Sequence, residues 1–335
     1  MKNKMLQGKA APDTHMLTIA GLMALALIIM AVLQPGDYFT LRNVRSMIFQ
    51  FPEYGILAFG MMVCMIAGGI DLSLVGIMNF TGVLAALIVT QMTAGGTDTS
   101  MAVPAILVAV LTALVVGGLC GAFNGFVIGY FNIPAMLVTL CGLQLYTGLA
   151  YGITGGPAIN GMCDAFKNIA NGTVAGIPYV LFIYIIVVAV VAFVMKSTVF
   201  GNEIYFLGSN AKASRYSGIN TLKVTVMTHM FSGILGGVSG ILITSHLNSA
   251  KSSNGSTYTL LTLLIVVLGG VHPDGGKGRV MGVALATILL QLITNAFGLL
   301  HMDDNAKTFV NGCLLVAALL LDAYLDKRAL KKKSE

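Results

Sequence analysis

A-G-G-I-D-L-S, Ala67 to Ser73, follows an apolar run from Met61 to Ile66 and precedes another. An acidic side chain at the middle of a bilayer costs roughly 2.5 to 3.5 kcal/mol on insertion scales, so Asp71 belongs near a membrane surface or in a cap. Gly68 and Gly69 lower helix propensity, and Asp71 with Ser73 offers side-chain oxygens to the free N–H groups of a helix beginning at Leu72. The stretch reads as a break between two membrane segments. An ordinary short loop between helices has the same composition.

The pattern returns. Leu264 to Val267 leads into L-G-G-V-H-P-D-G-G, Leu268 to Gly276, with Gly269 standing 201 residues after Gly68. Gly82 with V-L-A-A-L-I matches Gly282 with V-A-L-A-T-I at an offset of 200, and Asn124 before Gly-Phe has a loose counterpart in Asn295 before Ala-Phe. A break followed by a helix of the same small-residue phase suggests two halves of similar build, as transporters often have. Chance matching among Gly-, Ala- and Leu-rich segments is the competing explanation.

Composition sets the class. Of 335 residues 56% are hydrophobic and 10% charged, against about 25% charged in ordinary soluble proteins, and the mean hydropathy is +0.87. That much apolar surface needs a lipid bilayer. The net charge of +6 is small and gathered near segment ends, which excludes a nucleic-acid partner and reads as a topology signal.

In chain order, a polar start with Lys2, Lys4 and Lys9 precedes an apolar Met16 to Leu33. That run is longer than a signal-peptide core and has no small-residue cleavage site, so it reads as a retained first helix. Met47 to Ile70, led in by Phe51-Pro52-Glu53, is the second segment, and Leu72 to Met92 the third. Val103 to Tyr130, Ala135 to Ile153, Tyr179 to Met195, Lys223 to His246, Tyr258 to Leu268, Val280 to Leu300 and Thr308 to Leu325 bring the count to about ten. Tyr258 to Leu268 is short enough for a half-helix. Polar intervals at Thr154 to Pro178 and Lys196 to Thr221 are the longest between segments.

With ten crossings and a cytoplasmic N-terminus, the inner segments hold fourteen of the nineteen Lys and Arg. Three lie at the N-terminus, then come Lys196, Lys212, Arg215 and Lys223, then Lys277 and Arg279, then five in the C-terminal tail. Arg42, Arg45, Lys167, Lys251 and Lys307 fall outside. Basic residues in short loops favour the cytoplasmic side, so both termini are expected there. Both Gly-Gly motifs then end outside-to-inside helices, which makes the repeat parallel.

No catalytic apparatus is visible. Cys64, Cys120, Cys141, Cys163 and Cys313 lack metal-ligand spacing and read as packing residues. His229 and His246 are isolated in one segment, where a structural role competes with a proton relay. In the G-G-V-H-P-D-G-G-K-G run, Lys277 is followed by Gly278 rather than Ser or Thr, and the glycine spacing does not suit a phosphate loop. ATP binding by this chain is excluded on that basis.

Two features call for a partner or a solute. Ala211 to Ser217 has helix-forming composition, with Asn210 as N-cap and Gly218 as stop. So short a helix is unstable alone in water, which suits a docking element; a solvated connector is the alternative. Asn79, Thr81, Asn124, Gln144, Thr147, Gln291, Thr294 and Asn295 lie within apolar segments. Amides in lipid need partners, so they should face the bundle interior, either lining a path for a neutral hydroxyl-rich solute or binding helices together.

Taken together, A-G-G-I-D-L-S with Gly76, the segment F-G-N-E-I-Y-F-L-G-S-N-A-K-A-S-R-Y-S-G-I (Phe200 to Ile219) and L-G-G-V-H-P-D-G-G-K-G-R-V-M-G (Leu268 to Gly282) resemble the ribose-type sugar permease family of bacterial ABC importers. The similarity runs from about Phe39 to Leu325. It implies a transmembrane subunit that pairs with a second permease subunit, identical or paralogous, and with two cytoplasmic ATPase subunits. The ATPases, not this chain, would hold ATP and Mg. Sugar would arrive from an extracytoplasmic binding protein. The segment around Gly208, Asn210, Ala211, Ala213, Ser214, Ser217, Gly218 and Ile219 would be the coupling helix. Asn202 and Ser214 depart from the Arg and Ala that the family often carries there, and His272, Pro273 and Asp274 replace its usual small or hydroxyl residue. These differences place the chain in a divergent branch, with another pentose or hexose, a nucleoside or a sugar-derived signal among the open substrates.

The expected protein is therefore all-α and polytopic, one transmembrane domain over residues 1–335, in a bacterial inner membrane. Residues 1–15, 196–222 and 326–335 are its cytoplasmic start, coupling segment and basic tail. The expected gates are the breaks at Gly68, Gly69, Asp71, Ser73, Gly269, Gly270, Gly275 and Gly276, and the candidate solute path runs by Asn79, Asn124, Gln144, Gln291 and Asn295. The alternatives are an ion-coupled secondary transporter and a passive polyol channel. The first needs intramembrane carboxylates, whereas Asp71, Glu203, Asp274, Asp303, Asp304, Asp322 and Asp326 read as lying near segment ends.

Overall fold

A computed structural model describes residues 14–34 and 36–334. Lys2, Lys4 and Lys9 lie outside the described residues, as do the side chains of the basic tail. The described chain is helical nearly throughout: α1 (Thr14–Leu33), α2 (Leu41–Ile66), α3 (Leu74–Met92), α4 (Ala102–Phe131), α5 (Ala135–Thr154), α6 (Asp164–Asn171), α7 (Tyr179–Ser197), α8 (Val199–Ser209), α9 (Ala211–Tyr216), α10 (Thr221–Leu247), α11 (Tyr258–Leu268), α12 (Val280–Leu299) and α13 (Asp304–Ser334). Seven of these (α2, α3, α4, α5, α7, α10, α12) are long and apolar enough to cross a membrane. Ile19–Leu33, Tyr258–Leu268 and Asn305–Leu320 are shorter apolar stretches.

At the centre stands α2, in which every residue from Phe51 to Ile66 is buried. It begins six residues earlier than the apolar run predicts, because the Thr40 hydroxyl accepts the Asn43 N–H at 3.2 Å and caps it. Pro52 therefore lies inside the helix rather than before it. Beside α2, α10 and α4 approach closely through glycines at four-residue spacing: a Cβ on Gly233 would lie 2.1 Å from the Gly117 carbonyl oxygen, and one on Gly237 2.3 Å from that of Ala113. On α4 the small residues Ala105, Ala109, Ala113, Gly117 and Gly121 face inward, while Leu107, Leu111, Val115 and Leu119 face out. Small inside and large apolar outside is the pattern of a helix whose outer surface meets lipid.

The connections sort into two ends. At one, the turn after α2, the α4–α5 turn, α8, α9 and the loop after α11 come together, since Gly68, Asn132, Ala211 and Thr221 line one cavity and the Gly276 N–H donates to the Ile66 carbonyl at 2.8 Å. At the other, Ile159 pairs with Ala250 and Asn160 with Ser249 in a two-residue ladder. There a Cβ on Gly96 would meet the Gly161 carbonyl oxygen at 3.1 Å.

Both Gly-Gly breaks end their helices alike. After α2 the Gly68 N–H donates to Met65 and the Gly69 N–H to Cys64. After α11 the Gly270 N–H donates to Val267 and the Val271 N–H to Val266. The left-handed residue is Gly68 (φ +93°) in one and Gly270 (φ +80°) in the other, so the matching positions are 202 apart rather than 201. The Gly82 and Gly282 match is not structural: Gly82 sits mid-helix against α10, and Gly282 begins α12 against Gly269.

Candidate functional site

The short helix α9 forms as its caps predict. The Asn210 side chain accepts the Ala213 N–H at 2.9 Å, and Gly218 takes φ +86° while its N–H and that of Ile219 close onto the Arg215 and Ser214 carbonyls. Ala211, Lys212, Ala213, Arg215, Tyr216 and Ser217 are exposed, Tyr216 to 93%. Ser214 differs. It is buried, and its hydroxyl donates to the Asn210 carbonyl at 2.9 Å, so it anchors the helix to its own chain while its neighbours face outward.

Beneath α9, three segments meet backbone to backbone. A Cβ on Gly208, near the end of α8, would lie 1.8 Å from the Ile66 carbonyl oxygen and 2.6 Å from the Gly276 nitrogen. Gly275, at φ +88°, would place one 2.8 Å from the Gly68 Cα. The Tyr205 hydroxyl donates to the Gly278 carbonyl at 2.8 Å, and burial holds that phenol above its ordinary pKa. Of the glycines named as breaks, Gly68, Gly275 and Gly276 belong to this junction. Gly69 packs toward Ala135, and Gly269 and Gly270 end α11 against α12.

Asp71 is fully buried beside the junction rather than at a surface. Its Oδ1 accepts the Ser73 N–H (3.1 Å) and hydroxyl (2.5 Å), and its Oδ2 accepts the Ser232 hydroxyl at 2.9 Å. The helix accordingly starts at Leu74, two residues later than predicted, and Ser73 makes no cap through its side chain. The Asn124 amide donates to the Ser73 Oγ at 2.8 Å and the Tyr146 hydroxyl to the Asn124 Oδ1 at 2.9 Å. Ligating atoms of Cys64, Asp71 and His229 lie within 4.8 Å of one another. The three are separate in sequence, and only the packing of α10 on α2 brings them together. His229 Nδ1 bonds the Thr225 carbonyl at 3.0 Å, and its Nε2 has no partner among the described residues. His229, Thr225 and Gly69 line a cavity of about 320 Å³ that reaches Ala211 of α9.

Halfway along α2, beside the α10–α11 connection, lies a second polar cavity, of about 400 Å³. Glu53, buried to 2% exposure, accepts a hydrogen bond from His246 Nδ1 on one oxygen and from the Tyr258 hydroxyl at 3.1 Å on the other. Tyr54 donates to Gln291 Oε1, and the Gln291 amide donates to Gln50 Oε1 at 3.3 Å. Glu53 is absent from the acidic residues read as lying near segment ends, and with Asp71 it puts two carboxylates inside the bundle. The signal was the capping threonine at position 40, which moves Glu53 from a lead-in to the fourth turn of a helix.

The five candidate path residues separate. Gln291 lines the second cavity. Asn295, one turn on, exchanges two hydrogen bonds with Asn43 at 2.8 and 2.9 Å. Asn124 serves the Asp71 network, and Asn79 donates to the Ser252 carbonyl at 2.8 Å. Gln144 is exposed on α5, not turned into the bundle.

A family model described as "Branched-chain amino acid transport system / permease component" matches residues 43–319. The ribose import permease protein RbsC of Haemophilus influenzae is 32% identical over 306 residues, covering 90% of this chain and 91% of its own length. RbsC of Escherichia coli is 31% identical over 298 residues, with 88% and 89% covered. The L-arabinose transport system permease protein AraH of Escherichia coli is 28% identical over 291 residues, with 87% and 85% covered. No solved structure matches the chain. With the match running from the first turn of α2 into α13, and with seven membrane-length helices around it, this chain belongs to the ribose-type permease family of ABC sugar transporters.

Proposed function

We propose that this chain is the membrane subunit of an ATP-driven importer that carries a small neutral sugar into the cytoplasm. In this reading it crosses the membrane about ten times, the three shorter apolar helices included, with both termini and α9 on the inner side. A second permease subunit, two ATPases that hold ATP and Mg, and an extracytoplasmic binding protein complete the machine. The chain itself binds no cofactor.

The observation that carries the reading is the pairing of an exposed, doubly capped α9 with a side-chain-free junction at Gly208, Ile66 and Gly276. A push on α9 reaches α8 directly and, through backbone contact, the end of α2. Protein interiors are too densely packed to absorb such a displacement locally. The breaks at Gly68 and Gly270 are where α2 and α11 would pivot against their following segments, and the similar closures of the two helices support a parallel repeat. Relatives named for ribose and for L-arabinose favour a pentose-sized substrate, while the family description names branched-chain amino acids.

The buried Glu53 and Asp71 favour a second reading, an ion-driven transporter, since intramembrane carboxylates are what ion coupling uses. Sealed vesicles separate the two. Uphill uptake of D-ribose or L-arabinose should require the ATPase, ATP and the binding protein; uphill uptake by the chain alone on a proton or sodium gradient would establish the second reading instead. Downhill uptake without ATP would mark a passive channel, and uptake of L-leucine in place of any sugar would reassign the substrate.

A further inference from the structure

We infer that the cavity bounded by Glu53, His246, Tyr258, Gln291, Thr294 and Asn311 is a transient binding station for a neutral polyhydroxylated molecule of monosaccharide size. The inference rests on the permease reading and assigns the solute a place within it.

The cavity is rich in acceptors with spare capacity. Each oxygen of the Glu53 carboxylate accepts one hydrogen bond, from His246 or from Tyr258, and a carboxylate offers about four lone-pair sites in all. Thr294 Oγ1 and Asn311 Oδ1 are buried and have no hydrogen-bond partner among the described residues. A buried polar atom without a partner is costly, so these atoms call for a molecule that brings several hydroxyl donors. Tyr54 and Tyr258 meet edge to face, with ring centroids 5.6 Å apart, and supply an aromatic wall within reach of C–H surface. A volume of about 400 Å³ falls in the usual range for small-ligand sites.

Position agrees with chemistry. Glu53 stands thirteen residues along α2 from Ile66, about 20 Å at helical rise, and Leu247, Gly255 and Thr257 of the α10–α11 connection also line the cavity, so it lies toward the end of the bundle away from α9. In the proposed orientation that is the side on which a binding protein delivers its load. Pro52, adjacent to Glu53, cannot donate to the carbonyl one turn back, which leaves α2 most deformable where the solute would sit.

The test is uptake of radiolabelled D-ribose, L-arabinose, D-xylose, D-galactose and L-leucine by cells that depend on the complete importer, carrying the native chain or the variants Thr294→Val and Asn311→Leu. Thr294 Oγ1 and Asn311 Oδ1 have no hydrogen-bond partner among the described residues, so both variants should reach the membrane at native abundance. For the sugar that the native chain imports best, each should slow uptake about tenfold, the effect of one lost hydrogen bond to ligand. Each should also alter the ratio between sugars, which a purely structural defect would leave unchanged. Native uptake with both variants indistinguishable in rate and sugar preference would overturn the station while leaving the permease reading intact. No sugar uptake by the native chain would remove the reading and the station together.

Discussion

Gly208 of α8 and Ile66 of α2 touch backbone to backbone, so that a single added methyl on Gly208 would fall 1.8 Å from the Ile66 carbonyl oxygen. The contact joins the segment that carries α9 to the central helix without an intervening side chain. Its consequences can be measured.

Gly208→Ala must force α8 away from α2, at a cost of about 3 kcal/mol or more. Gly218→Ala meets open space and pays only for its left-handed backbone, about 1 kcal/mol. Thermal unfolding of the two variants in detergent should show a much larger drop for Gly208→Ala. Equal drops would mean that the junction is not closely packed.

Asp71 fastens Ser73 and Ser232, and through Ser73 it reaches Asn124 and Tyr146. Asp71→Leu strands the hydroxyls of Ser73 and Ser232 and should lower stability by about 3 kcal/mol. Asp71→Asn keeps an acceptor and should cost less. Thermal melts of both variants check the order, and a neutral Asp71→Leu would remove the network from the account of how α2, α3, α4 and α10 are held.

Thiol labelling and cross-linking test α9. Tyr216→Cys and Ala213→Cys should react rapidly with a maleimide and cross-link to a co-expressed ATPase, whereas Ser214→Cys should label slowly because the position is buried. Absence of any cross-link from the exposed positions would exclude α9 as the docking element.

Orientation is open to the same chemistry. In intact cells a membrane-impermeant thiol reagent should label Thr97→Cys and Lys251→Cys, and should reach Lys212→Cys only after permeabilisation. The opposite pattern would invert the topology.

Gly69→Val would crowd Ala135, and Gly269→Val would crowd Val283, with added Cβ atoms 2.7 and 2.8 Å from their neighbours. Both should stop uptake while the complex still assembles, as judged by co-purification with the ATPase. Normal uptake in both would mean that the two breaks do not flex during transport.

Much of this architecture is legible along the chain, because membrane helices announce themselves by apolar length and α9 by the Asn210 cap and the Gly218 stop. The grouping of loops at two ends follows from long apolar helices running back and forth. What escapes a linear reading depends on contacts across distance. Glu53 looks like part of a lead-in until Thr40 caps α2 ahead of it. His246 and Tyr258, 193 and 205 residues away, give that carboxylate its partners. The glycine pairs look equivalent at 201 residues because glycine occurs at both steps of each turn; the left-handed backbone decides the true register at 202. Gln144 resembles Asn124 in composition, yet the face of α5 it occupies points away from the bundle, a distinction that helix rotation makes and residue type does not.

The unbroken burial of α2 from Phe51 to Ile66 gives the molecule something close to a connecting rod. In the proposed importer one tip would bear on the seat for cargo and the other on the linkage to the engine, and the hydrogen-bonded spiral between them resists shortening. Work done on the inner tip must therefore emerge as tilt or travel at the outer one, and the proline beside the cargo seat is the place where the rod can hinge.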